Sequence, residues 1–130
     1  MGVAYFLLVI RPYKRPEVLL VEVRTYKIKA GRRERFLEFF EERAVPALRS
    51  KGMRIVGPLI DLENPDVFIW LRAFPSLEER DRMKSAFYDG EEWKNELEAI
   101  AMPMLESYDI ALTSMSPGFV DDLHATVTAR

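Results

Sequence analysis

The sequence predicts an α+β domain with the element order strand, helix, strand, strand, helix, strand. Three observations carry that prediction. Segments that alternate every two residues bracket segments whose apolar residues recur at helical spacing. Gly, Pro and Asn-Pro-Asp punctuation falls between them. The chain has 130 residues, 48% hydrophobic and 31% charged, which is one domain's length with enough apolar material for a core.

Leu19 to Lys29 reads as the first strand, with Val21, Val23 and Thr25 alternating against Glu22, Arg24 and Tyr26. Ala30-Gly31 stops it. Arg32 to Lys51 reads as a helix, because Phe36, Phe39, Phe40 and Ala47 recur at helical spacing and Leu37 and Leu48 widen the stripe. Pro46 inside that pattern predicts a kink or a short break, and Lys51-Gly52 a stop. Met53 to Leu62 reads as a second strand, perturbed at Gly57-Pro58 as an edge or bulged strand would be. Glu63-Asn64-Pro65-Asp66 is turn chemistry. The strand after it, Val67 to Phe74, completes a hairpin.

Ser76-Leu77-Glu78-Glu79 is a capping box that opens a helix running to about Tyr88. Asp89-Gly90 interrupts it. A second helical stretch places Trp93, Leu97, Ile100 and Met104 on one face, and Pro103 weakens its end. Tyr108 to Ser114 reads as the last strand and Ser116-Pro117-Gly118 as the end of the domain. The expected organisation is an N-terminal extension over 1–18, the domain over 19–117 and a tail over 118–130. Within the extension, Val3 to Ile10 is an apolar run about half as long as a membrane span needs. It reads as a leader, with an extra edge strand pairing with a partner subunit as the alternative.

Right-handed connections fold this order into a four-stranded antiparallel sheet with both helices on one face, the ferredoxin-like arrangement, in which the first and third strands are central. Two helices cover only one sheet face. The other is also largely apolar, and a patch of that size in water predicts a homodimer packed sheet to sheet.

Composition excludes several classes. A net charge of −2 argues against a nucleic-acid binder. Absence of cysteine removes disulfides, thiolate metal sites and a cysteine nucleophile, and fits a reducing, cytoplasmic setting. No membrane association is expected. There is no phosphate loop, no Gly-x-Ser-x-Gly elbow and no Gly-x-Gly-x-x-Gly. His124, beside Asp121 and Asp122, is the only histidine and one histidine rarely makes a transition-metal site. No metal and no cofactor are expected. Arg32, Arg33 and Arg35 read as a solvated charged helix face.

The candidate site lies on the two central strands. Glu22, Arg24 and Tyr26 share a face of the first, and Phe68, Trp70, Arg72 and Phe74 share a face of the third. Where those faces coincide, the sheet centre carries two arginines, a glutamate and four aromatic rings. Which side the helices cover is left open. A buried arginine must be paired, so Glu22 is expected to pair with Arg24 or Arg72. Otherwise the arginines hold an anion while Trp70, Phe68 and Tyr26 stack on an aromatic body. Phe87, Tyr88 and Trp93 flank the Asp89-Gly90 break, as helix packing or as a pocket rim.

The chain resembles the NIPSNAP family, within the dimeric α+β barrel superfamily, over about Val21 to Thr113. Val21-Glu22-Val23-Arg24-Thr25-Tyr26 with Lys29-Ala30-Gly31 is similar to that family's first strand and turn, and Gly52-Met53-Arg54-Ile55-Val56-Gly57 to its second strand. Phe68 to Phe74 and Ala86-Phe87-Tyr88-Asp89-Gly90-Glu91-Glu92-Trp93 resemble motifs of a bacterial subgroup. Many members place a histidine near the middle of the third strand, where this chain has Trp70 and Arg72. The resemblance implies the dimeric barrel and no agreed reaction. The expected function is a pocket for an aromatic or anionic organic ligand. The alternatives are a cofactor-free monooxygenase or isomerase, with Tyr26 or Glu22 relaying a proton, and a non-catalytic interaction scaffold.

Overall fold

A computed structural model describes residues 19–116 and residue 118. The expected leader strand, the tail and His124 lie outside these. Four strands form one antiparallel sheet in the order β2-β3-β1-β4, from β1 (Leu19–Ile28), β2 (Arg54–Ile60), β3 (Val67–Phe74) and β4 (Leu105–Met115). The two central strands are therefore β1 and β3. β2 is an edge strand, and its register against β3 shifts between Val56 and Leu59, around a cis Gly57-Pro58 bond.

The first helical run joins α1 (Arg33–Phe39), a π-turn (Phe40–Ala44) and α2 (Val45–Ser50). The sequence expectation of a break at Pro46 is replaced by this π-turn. The wider turn just upstream lets the helix continue, with Pro46 in the first turn of α2, where a missing N–H is tolerated. Arg33 leaves the charged cluster of its neighbours. Its Nη1 donates to the carbonyls of Asp61, Asn64 and Val67 at 2.8–3.0 Å, clamping the β2–β3 turn.

α3 (Leu77–Tyr88) starts at Ser76, whose Oγ accepts from the Glu79 N–H at 3.1 Å. After Gly90 a second π-turn (Trp93–Leu97) leads into α4 (Glu98–Ala101). The inserted residue rotates the rest of the helical run about its axis. Leu97, Ala101 and Met104 are buried while Ile100 is exposed, so the apolar face expected through Ile100 is displaced by one position.

Register decides which side chains share a face. Glu22 lies opposite Arg72, Arg24 opposite Trp70 and Tyr26 opposite Phe68. This is the helix-covered side, because Phe68, Trp70 and Phe74 join Phe36, Phe40, Leu48, Met83, Phe87 and Leu97 in the main core. The aliphatic side of β3, with Ile69 and Leu71, is the face left open among the described residues. There Leu19, Val21 and Ala73 form a smaller buried cluster against which Val56, Leu71 and Met115 pack.

Candidate functional site

A carboxylate at the middle of the sheet organises the site. Glu22 is fully buried, and its Oε1 accepts from Arg24 Nη1 at 2.6 Å and from Arg72 Nε at 2.7 Å. Its Oε2 accepts from Arg80 Nε at 2.6 Å, with Lys84 Nζ at 3.7 Å. Strand register delivers the first two cations. Helix α3 delivers the others, Arg80 and Lys84 lying one turn apart on its face. Burial raises the Glu22 pKa, but the charge and hydrogen bond of Arg72, the hydrogen bond of Arg80 and the charge of Arg24 outweigh it and hold the carboxyl at about 2. A group that ionises so readily is a poor base at neutral pH, which counts against Glu22 as a proton relay.

The arginines are also bracketed by aromatic rings. The Arg24 guanidinium lies 5.4 Å from the Trp70 ring centre and 5.6 Å from those of Tyr26 and Tyr108. The Arg72 guanidinium lies 5.5 Å from Trp70 and from Tyr88. Such contacts favour a desolvated cation. Arg72 Nη1 also donates to the Tyr88 hydroxyl at 2.8 Å, and Arg24 Nε to the Tyr26 hydroxyl at 3.2 Å. Burial pushes the Tyr26 pKa up, against the pull of Arg24, so this phenol keeps its proton at neutral pH.

A cavity of about 430 Å³ lies between this face of the sheet and the helices. Its polar wall includes Arg24, Tyr26, Trp70, Arg72, Lys84, Tyr88 and Glu98, and its apolar wall includes Phe36, Phe40, Leu48, Phe87 and Ala101. Both π-turns reach it, through Phe40 and Ala44 on one side and Trp93 on the other. Among the described residues, no helix covers the outer edge of β4. Tyr108 and Ile110 line the cavity there yet remain 49% and 42% exposed. Two buried donors on the wall residues, Arg72 Nη2 and Trp70 Nε1, have no hydrogen-bond partner among the described residues.

The structure brings Arg24, Tyr26, Trp70, Arg72, Phe87, Tyr88 and Trp93 to this cavity. Glu22 and Phe68 are not on its wall. Glu22 sits behind the cations, and Phe68 is sealed among Tyr26, Phe36 and Phe40. Sequence reasoning missed Arg80 and Lys84. The available signal was the spacing Arg80-Lys84-Tyr88, a polar row at every fourth residue beside the apolar Met83 and Phe87. Among the described residues, no group of three or more His, Cys, Asp or Glu is placed to hold a metal ion, and no helix is long and apolar enough to cross a membrane.

The sequence matches the NIPSNAP family profile over residues 21–117. A NIPSNAP family protein of unknown function from Agrobacterium tumefaciens superposes with a TM-score of 0.69 at 20% identity, covering 80% of this chain and 93% of that one. A second A. tumefaciens NIPSNAP family protein gives 0.67 at 18% identity, covering 73% and 90%. A protein proposed to be an antibiotic biosynthesis monooxygenase, from Nitrosomonas europaea, gives 0.58 at 15% identity, covering 78% and 92%. At these identities the likeness is one of fold. No functionally curated protein matches the sequence.

Proposed function

The chain belongs to the NIPSNAP family, and we propose that its cavity binds a small organic molecule with an aromatic body and an anionic group. The observation that carries this is a surplus of positive charge in an otherwise apolar cavity. Arg24, Arg72 and Lys84 are on the wall against one carboxylate there, the exposed Glu98, and the one buried carboxylate behind them is already shared by three guanidinium groups. Buried charge in excess of its partners is unfavourable, and an anion restores the balance. Lys84 and Arg24 supply charged donors with accessible surface, and the ring-rich wall supplies stacking surface. The functional unit in this reading is the 19–117 domain, paired as a homodimer through its open sheet face.

Calorimetric titration with 2-naphthoate and with neutral 2-naphthamide tests the reading. The acid should bind about tenfold or more tightly, because a hydrogen bond to a charged group contributes about 1.5–3 kcal/mol. Arg72→Met should remove most of the difference. Equal affinities, or no binding of either, would overturn the proposal.

A cofactor-free monooxygenase or isomerase is the catalytic form of the same reading. It is favoured by two phenols, Tyr26 and Tyr88, hydrogen-bonded to the cavity arginines, where negative charge on an enolate or phenolate would be stabilised. Oxygen uptake with anthrone or quinol substrates, compared between wild type and Arg72→Ala, decides it. No turnover with any of them would leave binding alone. No binding and no turnover would favour the interaction scaffold.

A further inference from the structure

Lys84 differs from the other lysines of the described residues. Lys27 is paired with Glu106 at 3.2 Å on the surface, and Lys29, Lys51 and Lys94 are exposed. The Lys84 side chain is 29% exposed and lines the cavity. The carboxylate it faces is taken. Three guanidinium nitrogens occupy Glu22 at 2.6–2.7 Å, and Lys84 Nζ is left at 3.7 Å, beyond hydrogen-bonding distance. The carboxylate on the cavity wall itself, Glu98, accepts from Trp93 Nε1 at 3.0 Å. Among the described residues, the amine therefore stands beside Arg24, Arg72 and Arg80 with the shared Glu22 as its nearest acid. Burial disfavours its charged form and those three cations add to the effect, with Glu22 opposing. A partly desolvated lysine beside other cations in an apolar cavity is the environment that makes an amine nucleophilic.

Resting on the anion-binding reading above, we infer that Lys84 captures an aromatic aldehyde or ketone bearing an anionic group, forming a reversible imine in this cavity. The Nζ lone pair adds to the carbonyl carbon, and the carbonyl oxygen takes up a proton. The carbinolamine then expels that oxygen as water while the C=N bond forms. Nζ gives up two protons and water carries both away with the oxygen, so no oxidant or reductant enters. Tyr88 is placed to pass the proton. It lies one helical turn beyond Lys84 on the same cavity wall. Its oxygen accepts from Arg72 Nη1, which leaves its own O–H available as the donor.

The test is reductive trapping of the full chain with 4-formylbenzoate and sodium cyanoborohydride at neutral pH, read by intact mass and peptide mapping. The expected result is one adduct on Lys84, formed about tenfold or more faster than on Lys29 or Lys51, as a positioned amine should react. Excess 2-naphthoate should slow it. Lys84→Arg keeps the positive charge and should lose the adduct. Its naphthoate affinity and melting temperature, measured in parallel, show whether the cavity is still formed. Labelling spread evenly over the surface lysines, or unchanged in Lys84→Arg, would overturn the inference. Naphthoate binding without a Lys84 adduct overturns the lysine chemistry and leaves the anion site standing. Failure of the wild type to bind naphthoate counts separately, against the anion site.

Discussion

Glu22 lies directly opposite Arg72 across the β1–β3 pair, and its Oε1 accepts from Arg72 Nε at 2.7 Å with both side chains buried. That contact joins the sheet to the helices, because the other oxygen accepts from Arg80 on α3. Glu22→Gln keeps the shape and removes the charge, leaving Arg24 and Arg72 buried without a counter-ion. Breaking a buried pair this way is expected to cost about 3–5 kcal/mol. Urea unfolding measures it, and a loss below about 1 kcal/mol would show that the ring faces alone sustain the arginines.

Acid stability depends on the same carboxylate. Its pKa is lowered from 4.5 to about 2 on folding. The contribution is fully present above the unfolded value and is lost as pH falls through the folded one. Stability should therefore fall between pH 4.5 and 2, by about 3 kcal/mol from this group. In Glu22→Gln that part of the slope should vanish. An unchanged profile in the variant would assign acid unfolding to other carboxylates.

The architecture was readable because a strand's side chains alternate strictly, so Glu22, Arg24 and Tyr26 had to share a face, and Trp70 had to share one with Arg72. The order of elements then made β1 and β3 neighbours. Three things were not readable. Both faces of the central strands are largely apolar, so hydrophobicity could not say which one the helices cover. A π-turn adds one residue without any compositional mark, so the displacement of Ile100 from the core could not be anticipated. Arg80 and Lys84, on a helix of otherwise charged surface, look like solvated residues until the fold sets a buried glutamate beneath them.

Helix α3 carries Arg80, Lys84 and Tyr88, so its start matters to the cavity. Ser76→Ala removes the acceptor of the Glu79 N–H and should destabilise the protein by about 1 kcal/mol. Ser76→Asp should restore it, since aspartate caps as well and complements the helix dipole. Denaturation midpoints of the three proteins check this. Equal midpoints for serine and alanine would mean that packing alone sets the helix start.

Gly90 is where the chain turns from α3 toward the π-turn that carries Trp93. A Cβ there would lie 2.7 Å from the Ala86 carbonyl oxygen and 3.2 Å from that of Phe87. Both are backbone atoms that cannot swing away. Gly90→Ala should displace the turn, at about 1–3 kcal/mol. It should also loosen Trp93 from Phe87 and Tyr88, whose ring centres lie 5.6 Å and 5.3 Å away. A lower melting temperature with altered tryptophan fluorescence is the expected result. A native-like spectrum would show that the turn adjusts without moving the wall.

The open sheet face makes the last prediction. Val23, Val56, Ile69 and Leu71 are only partly covered there, and Leu59 is 50% exposed. A standard interface buries about 800 Å² per partner, and apolar burial contributes about 25 cal/mol per Å² before association costs. A second copy offers the same aliphatic centre, so a two-fold pairing brings like against like, with the charged Lys27, Arg54 and Asp109 exposed on the same face. Sedimentation at micromolar concentration should give a dimer. Leu71→Glu sets one carboxylate on each copy into the contact and should give a monomer with unchanged circular dichroism. A monomeric wild type would refute the pairing. A dimer that survives Leu71→Glu would move the contact to another surface, with the exposed Tyr108, Ile110 and Leu112 of β4 the next to test.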